Sequence, residues 1–175
     1  MKKPFVIFAI LAICVTLFVL LMSTDESKSN SSLSSTNPLQ DLTSAPYVVG
    51  DYYNDGDKQG IVFEISADSI HGKIVNLHDL GETTWHKAHL ACKNLGEGWH
   101  LPSTAEWESM LQNKSTLTVA LMEIDDESYF KPYYWTSDDW NFEPTCAFFV
   151  GTLKQGFTPS PKSESRVNVR AVHDF

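Results

Sequence analysis

The sequence predicts an α+β domain carried behind a hydrophobic leader, and three observations lead there. Short β-prone runs follow residue 47 and return after residue 133. Between them the pattern changes to helical spacing with helix caps, and strands then helices then strands is the order of an α+β fold. Ahead of both, Pro4–Met22 is a run without a single charge. At 175 residues, 42% of them hydrophobic and 20% charged, the chain has room for one globular domain and an appendage.

The leader comes first. Lys2 and Lys3 precede PFVIFAILAICVTLFVLLM, in which Thr16 is the one hydroxylated side chain. At about 1.5 Å per residue a helix of that length crosses most of a bilayer core of about 30 Å. The lysines favour a cytoplasmic start, so the remainder is expected outside the cytoplasm, in the cell envelope. Residues 1–23 read as a signal anchor or a signal peptide. The run is longer than a usual secretory core, and Leu20–Thr24 lacks a small-x-small cleavage pattern, which favours a single uncleaved transmembrane helix. Leu11-Ala12-Ile13-Cys14 keeps a lipoprotein or a secreted form open as the alternative.

Residues 24–46 (TDESKSNSSLSSTNPLQDLTSAP) are rich in Ser, Thr, Asn and Pro. Such a segment cannot bury enough apolar surface to offset its ordering entropy, so a disordered spacer is expected. Asn30-Ser31-Ser32 and Asn113-Lys114-Ser115 fit the glycosylation pattern, which matters only where the source glycosylates.

The domain is expected over residues 47–175. Tyr47–Tyr53, Gly60–Ile65 and Lys73–Leu77 read as a β-meander, with Asn54-Asp55-Gly56-Asp57 as its first turn. Thr84–Leu95 reads as a helix with Trp85, Ala88, Cys92 and Leu95 on one face, stopped by Gly96 and Gly98. Trp99-His100-Leu101-Pro102 is an extended link. Ser103-Thr104-Ala105-Glu106 is a capping box for a second helix that buries Trp107, Met110 and Leu111. Thr116–Ile124 adds a further helical turn or two. Tyr133–Thr136 and Cys146–Thr152 read as strands and Gln155–Ser165 as a Gly/Pro/Ser loop. Arg166–Val172 alternates, placing Val167, Val169 and Ala171 on a buried face and Arg166, Asn168 and Arg170 on a solvent face.

Charge limits the partners. The chain carries 13 basic and 22 acidic residues, and two of the basic ones are Lys2 and Lys3. A domain this acidic repels phosphate backbones, so no nucleic-acid partner is expected, and the membrane is met only through residues 4–22.

The ordered set of Gly50-Asp51-Tyr52-Tyr53, Gly60-Ile61-Val62-Phe63, Trp85…Ala88…Cys92, Trp99-His100-Leu101-Pro102-Ser103…Glu106, Tyr134-Trp135-Thr136-Ser137 and Val169-Arg170-Ala171-Val172 resembles a bacterial C-type-lectin-like domain. It is similar to the C-terminal domain family of Legionella collagen-like proteins and to the "major paralogous" domains of Bacteroidetes and Fibrobacter surface proteins. The resemblance spans about Tyr47 to Phe175. It implies two helices packed on a twisted antiparallel sheet whose terminal strands lie together, with Trp85, Trp99, Trp107 and Trp135 as packing residues. Many members pair a first-helix cysteine with one near the closing strand, but Ala171 holds that place here. Calcium-dependent lectins use Glu-Pro-Asn or Gln-Pro-Asp and Trp-Asn-Asp runs. Trp140-Asn141-Phe142-Glu143-Pro144-Thr145 has those letters in another order and lacks the third acidic ligand, so no calcium site, other metal or cofactor is expected.

Candidate site residues follow from side-chain chemistry. Tyr133, Trp140, Phe142 and Phe157 offer aromatic planes, and Asp138, Asp139, Asn141 and Glu143 offer hydrogen-bonding groups beside them. In lectin-like folds the resemblance makes this region the ligand face. Cys92 and Cys146 either pair in an oxidising compartment, closing about 54 residues for about 2–4 kcal/mol, or stay as separate buried thiols. His86 and His89 stand one turn apart on the polar flank of their helix. No nucleophile elbow or triad pattern surrounds Cys146, so no enzyme is expected. The expectation is a tethered binding or adhesion domain for a protein or glycan, or else a structural or assembly part of an envelope complex.

Overall fold

A computed structural model describes residues 47–175, and the leader and spacer expected over 1–46 lie outside the described residues. The order is β1 (Tyr52–Asn54), β2 (Gln59–Ile65), β3 (Gly72–Asn76), β4 (Glu82–Thr83), α1 (Trp85–Lys93), α2 (Thr104–Gln112), α3 (Lys114–Ile124), β5 (Tyr133–Asp139), β6 (Cys146–Gly151), β7 (Gly156–Pro161), β8 (Val167–Asn168) and β9 (Val172–Asp174). Two sheets form, ordered β1-β2-β3-β9 and β4-β8-β5-β6-β7. All pairs are antiparallel except β5 with β8, which meet in parallel at Tyr134 and Asn168. The class is α+β, with three helices and two mostly antiparallel sheets. No helix among the described residues is long and apolar enough to cross a membrane.

The first sheet is buried on both faces, which is why β2 reads as an unbroken apolar run rather than an alternating one. Successive side chains point to opposite sides. Ile61 and Phe63 join Val75, Trp107, Met110, Leu117 and Leu121 on one face. Val62 joins Ile74, Ala88, Cys92, Trp99, Leu101 and Trp135 on the other. Trp107 and Trp135 are fully enclosed, each at 0% exposure, and each indole N–H donates to a carbonyl, Trp135 O and Thr83 O respectively. Removing a side chain of that size from such a site costs about 3–5 kcal/mol.

Helix α2 starts where its capping box stands. The Ser103 hydroxyl accepts the Glu106 amide, and the Glu106 carboxylate accepts the Ser103 amide in return. Glu106 is then overdetermined. One oxygen takes Lys73 Nζ at 2.8 Å and His100 Nε2 at 3.1 Å, and the other takes the Ser103 N–H and O–H. Burial alone would raise this carboxyl, but the hydrogen bonds from His100, Lys73 and Ser103 outweigh it and hold it well below the usual range. The same contact with Glu106 raises the His100 imidazole against the opposing effect of burial.

Four expectations change. The run after α2 is a full helix of eleven residues, because Leu117 and Leu121 reach the main core at helical spacing. There are therefore three helices and two sheets, not two helices on one sheet. Leu95 lies past the end of α1 and is 39% exposed; the buried residues of α1 are Ala88 and Cys92. The Gly/Pro/Ser loop contains strand β7. Pro159 and Pro161 fall two residues apart, so both missing N–H groups lie on the outer side of an edge strand, where no bond is lost.

The closing strand is the fourth. It splits into β8 in one sheet and β9 in the other, and the crossing buries Arg170 to 1% exposure. Its guanidinium donates to Asp79 Oδ1 at 2.6 Å and to the carbonyls of Asn76, Leu77 and Tyr129. Tyr134 adds a hydroxyl bond to the same carboxylate. Arg170 thus welds three loops instead of facing solvent.

Candidate functional site

The β5–β6 hairpin carries five of the eight candidate residues at its turn. Trp140 N–H donates to Cys146 O at 3.1 Å and closes the hairpin. Inside it are two stacked turns, Glu143 N–H to Trp140 O at 3.1 Å and Cys146 N–H to Glu143 O at 2.9 Å. Pro144 holds the position after Glu143, where its fixed φ suits a turn. The Thr145 hydroxyl donates to the Glu143 carboxylate at 2.9 Å. Phe142 projects from this turn at 88% exposure, with the half-buried Trp140 ring edge-on to it at 6.0 Å.

The hairpin is fastened from behind by Lys162, which follows β7 and is itself only 8% exposed. Its ammonium contacts Asp139 Oδ1 at 2.5 Å and donates to Pro144 O at 2.7 Å. It also stands 4.5 Å from the centre of the Trp85 ring, a cation–π contact. Its backbone N–H donates to Thr145 O and its carbonyl accepts from Trp85 N–H. One residue therefore joins both ends of the turn to the start of α1. Trp85 completes the fastening, its indole N–H donating to Thr136 O at 2.8 Å. His89, one turn further along α1, sets its ring across Trp85 at 4.3 Å and 76°. Its Nε2 is buried and has no hydrogen-bond partner among the described residues.

Asp138 has a different job. Between Trp135 and Asp139 the β5 register shifts, so residues 136–138 oppose the single Phe148 of β6. The bulge carries Asp138 to the start of α2, where Oδ2 accepts both the backbone N–H and the hydroxyl of Thr104 at 2.6 Å. It caps a helix rather than facing a ligand.

Tyr133 and Phe157 lie at the other end of the strands and on opposite faces. Tyr133 is in register with Gly151 and, through it, Gly156, whereas Phe157 is in register with Val150 and Tyr134. Tyr133 is 54% exposed and edge-on to Phe149. Phe157 packs toward the main core and lines an open groove of about 510 Å³ with Glu108, Leu111, Gln112 and Gln155. The eight candidates are not one surface. Those brought together are Asp139, Trp140, Asn141, Phe142 and Glu143.

Cys92 and Cys146 are free thiols, Cys92 fully buried and Cys146 half-buried. Burial pushes the Cys92 thiol up to about 12, which leaves it unreactive at neutral pH. Asn113, in the second glycosylation pattern, is half-buried at the α2–α3 junction and donates Nδ2 to Ser109 O. Among the described residues no three His, Cys, Asp or Glu side chains are grouped to hold a metal ion.

Lys162 and Trp85 are the site residues that sequence reasoning missed in their present roles. A lysine between Pro161 and Ser163 reads as solvated, and nothing local distinguishes it. Trp85 reads correctly as a packing residue, but its cation–π role depends on a partner 77 positions away. No protein-family model and no curated protein matches this chain, so the reading of the site rests on its geometry.

Proposed function

We propose that the chain is a membrane-tethered, extracytoplasmic binding or adhesion module without catalytic activity, which contacts a protein or glycan through the turn of its β5–β6 hairpin. The observation that carries this reading is Phe142, a large apolar ring held 88% exposed on a turn closed by three backbone hydrogen bonds. Covering such a ring is worth about 2 kcal/mol, and a preordered turn lets that gain go to affinity rather than to ordering the loop. Asp139 and Glu143 flank it with hydrogen-bond acceptors.

The C-type-lectin-like reading of the fold draws support from the meeting of the domain's ends. Tyr47 lies edge-on to Phe175 at 5.3 Å, and Phe175 exchanges backbone bonds with Gly72. The tether rests on the uncharged Pro4–Met22 run and the two lysines before it. The non-catalytic reading rests on the sequence, in which no nucleophile elbow or triad pattern surrounds Cys146.

Photocrosslinking from position 142 of the full chain, alongside a glycan array, tests the reading. Capture of one partner, or binding of one glycan class, that is lost in both Trp140→Ala and Phe142→Ala supports it. Binding unchanged by both variants would sink it. A second reading, an assembly part of an envelope complex, is favoured by a different surface. Val48, Val119 and Met122 are 60%, 59% and 44% exposed. Val119 borders an open groove of about 540 Å³ between α3 and the turn at Val49–Asp51. Crosslinks from Val119 but not from Phe142 would select that reading.

A further inference from the structure

The fastening of the hairpin contains one polar atom that finds no partner among the described residues. His89 Nε2 is buried without a partner there, beside a cluster in which Lys162 engages Trp85, Asp139 and Pro144 O. Buried polar atoms without partners are uncommon, and each calls for an explanation.

We propose that His89 is an acid-operated release for the hairpin: protonation draws Asp139 from Lys162, and the turn that displays Trp140 and Phe142 loosens. At neutral pH the imidazole carries no charge, and its ring serves as a packing face on Trp85. Added charge on a buried nitrogen demands an acceptor. The groups facing His89 decide which one. On its own helix stand His86 and Lys93, and behind the hairpin stands Lys162, all of which oppose a positive charge. From β5 stands Asp139, which favours it. Burial and these cations hold His89 below the usual histidine value, so the change falls on the acid side of it.

The consequence for Lys162 is direct. It is held at 8% exposure by one carboxylate, one carbonyl and one aromatic face. Without the carboxylate, and beside a new positive charge, the ammonium is better solvated in water than where it lies. Its departure frees Pro144 O, and with it the second of the two stacked turns. The release itself needs no bound partner. Only its use, letting go of a bound partner in acid, rests on the binding function proposed above.

Amide hydrogen exchange on the full chain, corrected for the intrinsic effect of pH, tests this without any ligand. The Trp140 and Cys146 amides report the turn, and the Leu80 and Val169 amides report the welded loops. From about pH 7.5 to about pH 5 the turn amides should lose about ten-fold protection while the welded-loop amides keep theirs. His89→Phe retains a ring on Trp85 and should remove the acid response. Lys162→Met should show, at neutral pH, the loose turn that the wild type shows in acid. An acid response that survives His89→Phe would overturn the proposal. So would a protected turn in Lys162→Met, or a loss shared equally with Leu80 and Val169. If His89→Phe does not fold, His89→Gln takes its place: it carries no titrating group, so an acid response that survives it overturns the proposal in the same way.

Discussion

The carboxylate of Glu106 and the ammonium of Lys162 hold comparable places in this molecule. Each is a charge almost withdrawn from solvent at the start of a helix, and each ties that helix to strands far away in sequence. Their surroundings differ. Both oxygens of Glu106 are engaged, by Lys73, His100 and Ser103. Arg170 and Asp79 are engaged in the same thorough way. Lys162 is engaged too, but its neighbour His89 carries a buried nitrogen with nothing to bond. A fully answered network has one low-energy arrangement, whereas an unanswered atom leaves a second within reach once its protonation changes. The first kind of network makes permanent structure, and the second suits the edge of the proposed binding surface.

The largest break of this comparison is Arg170→Met. It leaves Asp79 with only the Tyr134 hydroxyl and takes the guanidinium from the carbonyls of Asn76 and Leu77, and should lower the unfolding free energy in urea by about 3–5 kcal/mol. A loss below about 1 kcal/mol would mean that the weld is not structural.

Glu106→Gln comes next. Glutamine preserves the reciprocal cap but removes the charge that Lys73 and His100 face, at a cost of about 1–3 kcal/mol in the same assay. It should also abolish the raised titration of His100, read by NMR. A His100 titration that did not move would separate it from Glu106.

Smaller still is the response to pH, which should have opposite signs in the two regions. His100 is raised above its ordinary 6.5, so its contribution is complete below 6.5 and fades as pH climbs through the folded value. Glu106 is lowered from 4.5, so its contribution is present above 4.5 and fades only in stronger acid. His89 is lowered from 6.5, so it costs stability as pH falls below 6.5. Between about pH 7.5 and about pH 5, protection at the paired His100 and Val172 amides should hold or rise while the hairpin turn loosens. Equal movement in one direction would erase the distinction.

The smallest effect on stability is expected at Phe142. Replacing it with alanine should change the unfolding free energy by no more than about 0.5 kcal/mol, since the ring touches little besides Trp140. A loss of several kcal/mol would place Phe142 in the fold rather than on the surface.

Much of this was legible because its causes are local. The Ser103–Glu106 cap needs residues three apart, and the meander needs short β-prone runs and an Asp-Gly turn, so both follow from short stretches of chain. The burial of Trp99, Trp107 and Trp135 follows from size and apolarity. Arg170 misled because alternation places it opposite Val169 and Ala171, on the expected solvent face. What buries it is the passage of the chain from one sheet to the other, and no window of neighbouring residues reports that. Strand β7 was hidden by its prolines, which exclude a central strand but not the outer side of an edge.

The candidate site divides along the same line. Aromatic and acidic residues around Trp140 are visible in sequence, and Asp139–Glu143 do share the hairpin turn. Asp138, Tyr133 and Phe157 could not be sorted from them, because a bulge of two residues and a strand register send them elsewhere. By itself, then, the amino-acid order determined the elements, their caps and the apolar residues, all of which depend on contacts within a few positions. Tertiary structure alone decided which charges were withdrawn from water and which of them found partners. That outcome is set by segments such as Lys162 and Trp85, or Arg170 and Asp79, meeting across 77 and 91 positions of chain.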